Sequence, residues 1–166
     1  AVTVARELLG MMLVTGAGGG RTAGRIVEVE AYLGAGDPAS HAYQLRRHAQ
    51  NGALYGPAGT WYVYLSYGMH WCANLVVGPP GLGAAVLLRA LQPVEGLPAM
   101  RRRRGRVPDR LLCAGPGRLC QALGITRALD GARRRVGTAR VIRLEPGDSF
   151  AIAVSRRIGI SRAPNE

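Results

Sequence analysis

The chain has 166 residues and a formal net charge of +12, carried by 22 basic residues that are all arginine. That length suits one domain with a core of its own, and the absence of an apolar run near the roughly 18 residues of a membrane span excludes a bilayer-crossing helix. So large a positive charge is the footprint of a polyanion binder, most often nucleic acid, and simple solubilising charge is the competing explanation.

Three scattered cysteines, Cys72, Cys113 and Cys120, point to reduced thiols and an intracellular, cytoplasmic setting (nucleoid-associated in a bacterium). They lack the paired spacing of a metal site. No basic–apolar–small leader opens the sequence.

In chain order, Val4–Gly10 (VARELLG) has an apolar face at helical spacing and a glycine stop, which predicts a short helix. MMLVTGAGGGRTAGRIVEVEAY, from Met11 to Tyr32, reads as strand, glycine-rich turn, strand. Residues 33–60 are rich in Gly, Pro, Asp and Ser and predict a long loop, a kind that is uncommon and usually functional. Trp61 to Val77 follows, then a GPPGLG turn and a buried strand in AAVLLRALQP. VEGLPAMRRRRGRVPDRLL holds a helix start and a strongly basic run, and AGPGRLCQALGI a further helix with Pro116 near its first turn. GTARVIRLEPGDSFAIAVSRRIGISRA is expected to close the chain with strands. The sum is a mixed α+β domain around a mainly antiparallel sheet.

Of the nine Phe, Tyr and Trp residues, only Phe150 lies outside positions 32–71. Within WYVYLSYGMHWCANLVV, a three-residue turn at Tyr67-Gly68-Met69 gathers the purely apolar residues on one face. The same register puts Tyr62, Tyr64, Cys72 and Asn74 on the other, whereas a two-residue turn would mix the sets. It leaves Tyr67 and Met69 at a projecting tip with nothing local to bury them, the form of a wedge.

Glu28, Glu30 and Tyr32 share one strand face in RIVEVEAY, with Val27, Val29 and Ala31 on the other. Arg89 lies inside an otherwise apolar strand, where an unpaired guanidinium is costly, so it needs Glu30 or Glu28 as a partner. A plain buried ion pair and a catalytic pair both satisfy that need. His41 stands on the long loop, away from any predicted core strand.

GRIVEVEAYLG, DPASHAY, GPAGTWYVYLSYGMHWCANLVV, AAVLLRALQPVEG and LCAGPGRLCQALGI, in this order from about Val4 to Arg162, resemble the alkyladenine (3-methyladenine, methylpurine) DNA glycosylase family. The resemblance implies an α+β single domain over residues 1–166, with truncation at either end left open. It implies a curved, mainly antiparallel β-sheet with flanking helices and a protruding DNA-intercalating β-hairpin. Glu30 matches the family's general base, and Arg89 the arginine that helps hold the nucleophilic water. Tyr32, His41 and Tyr64 match the aromatic walls around the flipped base, and Asn74 the asparagine that crowds the exocyclic amine of guanine. Tyr67 matches the side chain that enters the minor groove, with Met69 beside it. Arg101, Arg104 and Arg118 lie where the family is basic and are candidates for phosphate contacts. Where the family usually has a TPRN-like stretch this chain has YQLRRHAQNG, a departure from the family's pattern in the loop after His41.

The expected partner is double-stranded DNA containing damaged purines, met by a monomer without cofactor, metal or membrane. The expected reaction is base flipping followed by hydrolysis of the N-glycosidic bond, leaving an abasic site. With no lysine in the chain, water rather than an amine is the expected nucleophile, which predicts a monofunctional enzyme with no lyase activity. A non-catalytic nucleic-acid-binding module of the same fold is the alternative. A sugar glycosidase using Glu28 and Glu30 is weaker, because residues two apart on a strand cannot readily flank a bond from opposite sides.

Overall fold

In the computed structural model, which describes residues 1–16, 20–133, 139–142 and 151–158, six antiparallel strands lie in the order β3-β4-β5-β2-β1-β6. The strands are β1 (Met12–Thr15), β2 (Thr22–Tyr32), β3 (Trp61–Ser66), β4 (His70–Val77), β5 (Ala84–Glu95) and β6 (Ala139–Ile142). The helices are α1 (Val2–Leu8), α2 (Leu97–Arg104) and α3 (Pro116–Leu123). None among the described residues is long and apolar enough to cross a membrane. The expected α+β fold is observed, and α1 begins and ends two residues earlier than the sequence pattern suggests.

The two sides of the sheet are filled differently. Trp61, Val63, Ala73, Leu75, Val86 and Leu88 alternate along β3, β4 and β5 into the main core, where Met100, Leu119 and Leu123 from α2 and α3 meet them. The opposite side of the same strands supplies Tyr62, Val76 and Ala85, which pack with Ala42, Leu54 and Tyr55 of the long loop. The loop contains only two 3-10 turns, at Tyr43–Leu45 and Gly52–Tyr55. Its close approach depends on Gly83, at φ +71, where an added Cβ would collide with the Ala42 side chain. The three cysteines are free and buried.

The predicted hairpin register is the one found: Ser66 pairs with His70 and Tyr62 with Asn74, leaving Tyr67-Gly68-Met69 as the turn. Tyr67 (φ 50) and Gly68 (φ 67) are both left-handed, as in a type I′ turn, and the Met69 N–H closes it on the Ser66 carbonyl at 3.0 Å.

Two expectations need correction. Val27 does not share the core face of Val29 and Ala31 but is half exposed. The β2–β5 register shifts on either side of Glu28, skipping Val27 on one strand and Arg89 on the other, and such a double irregularity breaks simple alternation. The stretch 151–157 forms no strand; its one buried residue, Arg157, is drawn instead to a carboxylate of the long loop. The rest of the predicted closing segment, residues 137–138, 143–150 and 159–163, and the centre of the glycine-rich turn, residues 17–19, lie outside the described residues.

Candidate active site

The register break is what brings the charged residues together. Glu28 pairs with Ala90 and Glu30 with Leu87, so Arg89 lies in the irregularity between them. Its Nε donates to Glu28 Oε1 at 2.7 Å and its Nη1 lies 3.1 Å from Glu30 Oε1. The sequence left Glu28 and Glu30 as alternatives, and Arg89 takes both. These bonds hold the guanidinium firmly charged, against the effect of its own burial.

Glu30 is buried and is approached by three donors. Besides Arg89, the Tyr32 hydroxyl donates to Oε2 at 3.0 Å and the Ile158 backbone N–H donates to Oε1 at 2.8 Å. Burial raises the Tyr32 phenol far above its usual value, and the adjacent Glu30 carboxylate adds to the effect, so the phenol keeps the proton it donates.

Tyr32 also begins the wall of a pocket lined by Ser40, His41, Leu54, Tyr62, Tyr64 and Asn74 among others, with about 90 Å³ of open space. That is several times the ~10–15 Å³ that one water needs on the same measure. His41 meets Tyr64 edge-on, with ring centroids 4.5 Å apart, and Tyr62 stacks on Tyr64 at 5.4 Å. His41 Nδ1 lies 2.8 Å from the Tyr62 hydroxyl. The His41 residue is exposed at the pocket rim, yet packing around its imidazole, and then the charge of His48, lower its pKa from 6.5. Asn74 is buried and its Nδ2 donates to the Tyr62 carbonyl at 3.1 Å, which fixes the carboxamide in the pocket wall.

Four side chains at the site, besides the Ile158 backbone N–H, escape the sequence reading. Tyr62 was placed on the right face but given no role. Asn51, fully buried, donates from Nδ2 to the carbonyls of His41 at 3.2 Å and Arg46 at 3.0 Å and accepts from the His48 N–H at 2.9 Å; it ties the loop that bears His41. Asp37 and Arg157 form a buried ion pair beside Tyr32. The DPASHAY and QNG stretches hinted at Asp37 and Asn51 as turn-formers; nothing local marked Arg157.

At the hairpin tip Tyr67 is 88% and Met69 71% exposed, a setting in which no packing among the described residues accounts for either side chain. Of the basic candidates, Arg101 forms a two-pronged pair with Asp109. Arg104 donates to the Leu112 carbonyl and to Gln121 Oε1. Both therefore serve internal partners, and Arg118 is an exposed residue in the first turn of α3 that, among the described residues, donates to the nearby Ala114 carbonyl at 3.2 Å. Among the described residues, no group of three or more His, Cys, Asp or Glu gathers to hold a metal ion.

A family model described as methylpurine-DNA glycosylase matches residues 1–166. The chain belongs to the methylpurine-DNA glycosylase family. Its activity is that of a DNA-3-methyladenine glycosylase, a hydrolase of N-glycosyl bonds that acts in the repair of alkylated purines. Relatives assigned as 3-methyladenine DNA glycosylases include one from Agrobacterium fabrum, 50% identical over 98% of this chain and 79% of its own. Another, from Nitrosospira multiformis, is 47% identical over 98% of this chain and 80% of its own. A third, from Methanoculleus marisnigri, is 48% identical over 98% of this glycosylase and 84% of its own length.

Proposed function

We propose that this glycosylase extrudes an alkylated or deaminated purine from duplex DNA, seats it between Tyr32 and the His41–Tyr64 pair, and hydrolyses its N-glycosidic bond with a water activated by Glu30. The observation that carries this reading is a buried carboxylate held by three donors, one of them the hydroxyl of Tyr32, whose side chain lines the aromatic pocket. A passive nucleic-acid binder gains nothing from such an acid, which would repel the phosphates it has to attract.

A carboxylate offers about four acceptor sites. Arg89, Tyr32 and Ile158 use three, and a proton of the attacking water uses the fourth. As Glu30 takes that proton, the water oxygen bonds to C1′ of the sugar, the C1′–N bond breaks, and its electron pair leaves with the purine. The ionised carboxylate also favours the positive charge that develops on the sugar. Bases such as 3-methyladenine and 7-methylguanine are cationic before cleavage and leave neutral. They also gain from the aromatic walls, where stacking contributes about 1–3 kcal/mol per base and cation–π attraction adds to it. Asn74, fixed in the wall, opposes the exocyclic amine of a normal guanine.

Flipping costs a few kcal/mol of stacking and pairing, and Tyr67, flanked by Met69, offsets part of it by entering the space the base leaves. Phosphates are met by the arginine-rich surface. Arg118 is the freest of the three candidates to do so, while Arg101 and Arg104 would share a guanidinium already engaged within the protein. The protein acts as a monomer, without an amine nucleophile.

The test is incubation with duplex DNA carrying one 7-methylguanine or hypoxanthine, followed by alkali. Breaks at the lesion that require alkali are expected, and no covalent adduct on adding borohydride during turnover. A trapped protein–DNA adduct, or breaks without alkali, would overturn the hydrolytic mechanism; no base release at all would contradict the excision of these bases.

A further inference from the structure

Residues 151–158 form no strand, and only Arg157 among them is buried. Its Nη1 donates to Asp37 Oδ1 at 2.9 Å, joining positions 120 residues apart. Asp37 in turn accepts from the backbone N–H groups of Leu33 and Ala39, each at 3.0 Å, so this carboxylate shapes the turn that leads to His41. The Arg157 guanidinium also lies 4.9 Å from the centroid of the Tyr32 ring. The next residue, Ile158, is 59% exposed, yet its N–H is delivered to Glu30 Oε1 at 2.8 Å. Packing of the Ile158 side chain does not explain that delivery. Its one buried neighbour in the segment does.

We propose that Arg157 is a positioning residue for base excision: clamped by Asp37 and laid over Tyr32, it holds the Ile158 amide on Glu30 and so sets the carboxylate relative to the base pocket. This rests on Glu30 being the general base. A guanidinium suits the task because it is planar and forked; lysine would keep the charge but has no flat face to lie over the ring. The clamp also links two parts of the site that the chain itself keeps separate, the turn before His41 and the carboxylate on β2.

The experiment measures single-turnover excision of 7-methylguanine, active fraction, lesion-duplex affinity and melting temperature for wild type, Arg157→Gln, Arg157→Lys and Glu30→Gln. Arg157→Gln is expected to lose about 10- to 100-fold in the chemical rate constant, the scale on which a misplacement of about 1 Å acts. Its lesion affinity is expected to hold, and Arg157→Lys to lie between it and wild type. Should the glutamine variant not fold, the lysine variant, which keeps Asp37 paired, reads the same rate constant. A wild-type rate constant in the variant that folds, or a loss confined to active fraction or affinity, overturns the proposal. Glu30→Gln separates the two claims: if it excises at near wild-type rate, the base assignment itself fails. If it is inactive while Arg157→Gln is fully active, only the positioning role fails.

Discussion

Glu30 draws its donors from three separate parts of the chain: its own strand through Tyr32, β5 through Arg89, and residue 158. Of the first two, Arg89 was visible as an arginine in an apolar strand with only two economical partners, and Tyr32 only as a pocket wall on the same strand face as Glu30. The third was not, because a backbone N–H carries no mark in a sequence. His41 shows another local effect. Its pKa lies below 6.5, so the folded protein binds fewer protons here than the unfolded chain. The stability this contributes is complete above about pH 6.5 and is lost as pH falls through the lower folded value. The neighbours that face His41 are the phenols of Tyr62 and Tyr64, both kept protonated by burial, and the His48 ring. Melting curves at pH 7 and pH 5 should therefore show a larger acid-induced drop for wild type than for His41→Gln. Equal drops would mean that His41 gains no proton in that range.

At the scale of elements, the β3–β4 hairpin carries the clearest conflict between local comfort and use. A tyrosine at φ 50 adopts a conformation that costs an L residue about 1–2 kcal/mol, at a tip where its side chain is left exposed among the described residues. Backbone strain of this kind at an exposed tip is a pointer to function. Tyr67→Gly should therefore raise stability by up to about 1 kcal/mol while weakening lesion-specific binding, with affinity for undamaged duplex almost unchanged because that term is mainly ionic. An equal loss for damaged and undamaged DNA would remove Tyr67 from the flipping step. The hairpin was legible in advance because its two faces differ so sharply in composition that only one register sorts them. The β2–β5 pair was less so. The shift that skips Val27 and Arg89 changes which side chains share a face, and alternation alone cannot announce it.

Across the whole molecule, legibility follows distance along the chain. The α+β class, the antiparallel pairing and the main core came from patterns a dozen residues long. The fit of the long loop against β4 and β5, and the contacts of Arg157 and Ile158 with Asp37 and Glu30, join segments far apart; no local pattern encodes them. The net charge of +12 foretold a polyanion partner, but not that Arg101 and Arg104 also hold α2 to its neighbours. The most direct test of Glu30 as the base that activates water is single-turnover excision of 7-methylguanine from duplex DNA by wild type and Glu30→Gln, with lesion affinity measured alongside. The expected result is a rate constant lower by about 10²–10⁴-fold, the usual contribution of a general base, with binding retained; excision by Glu30→Gln at near wild-type rate would contradict it.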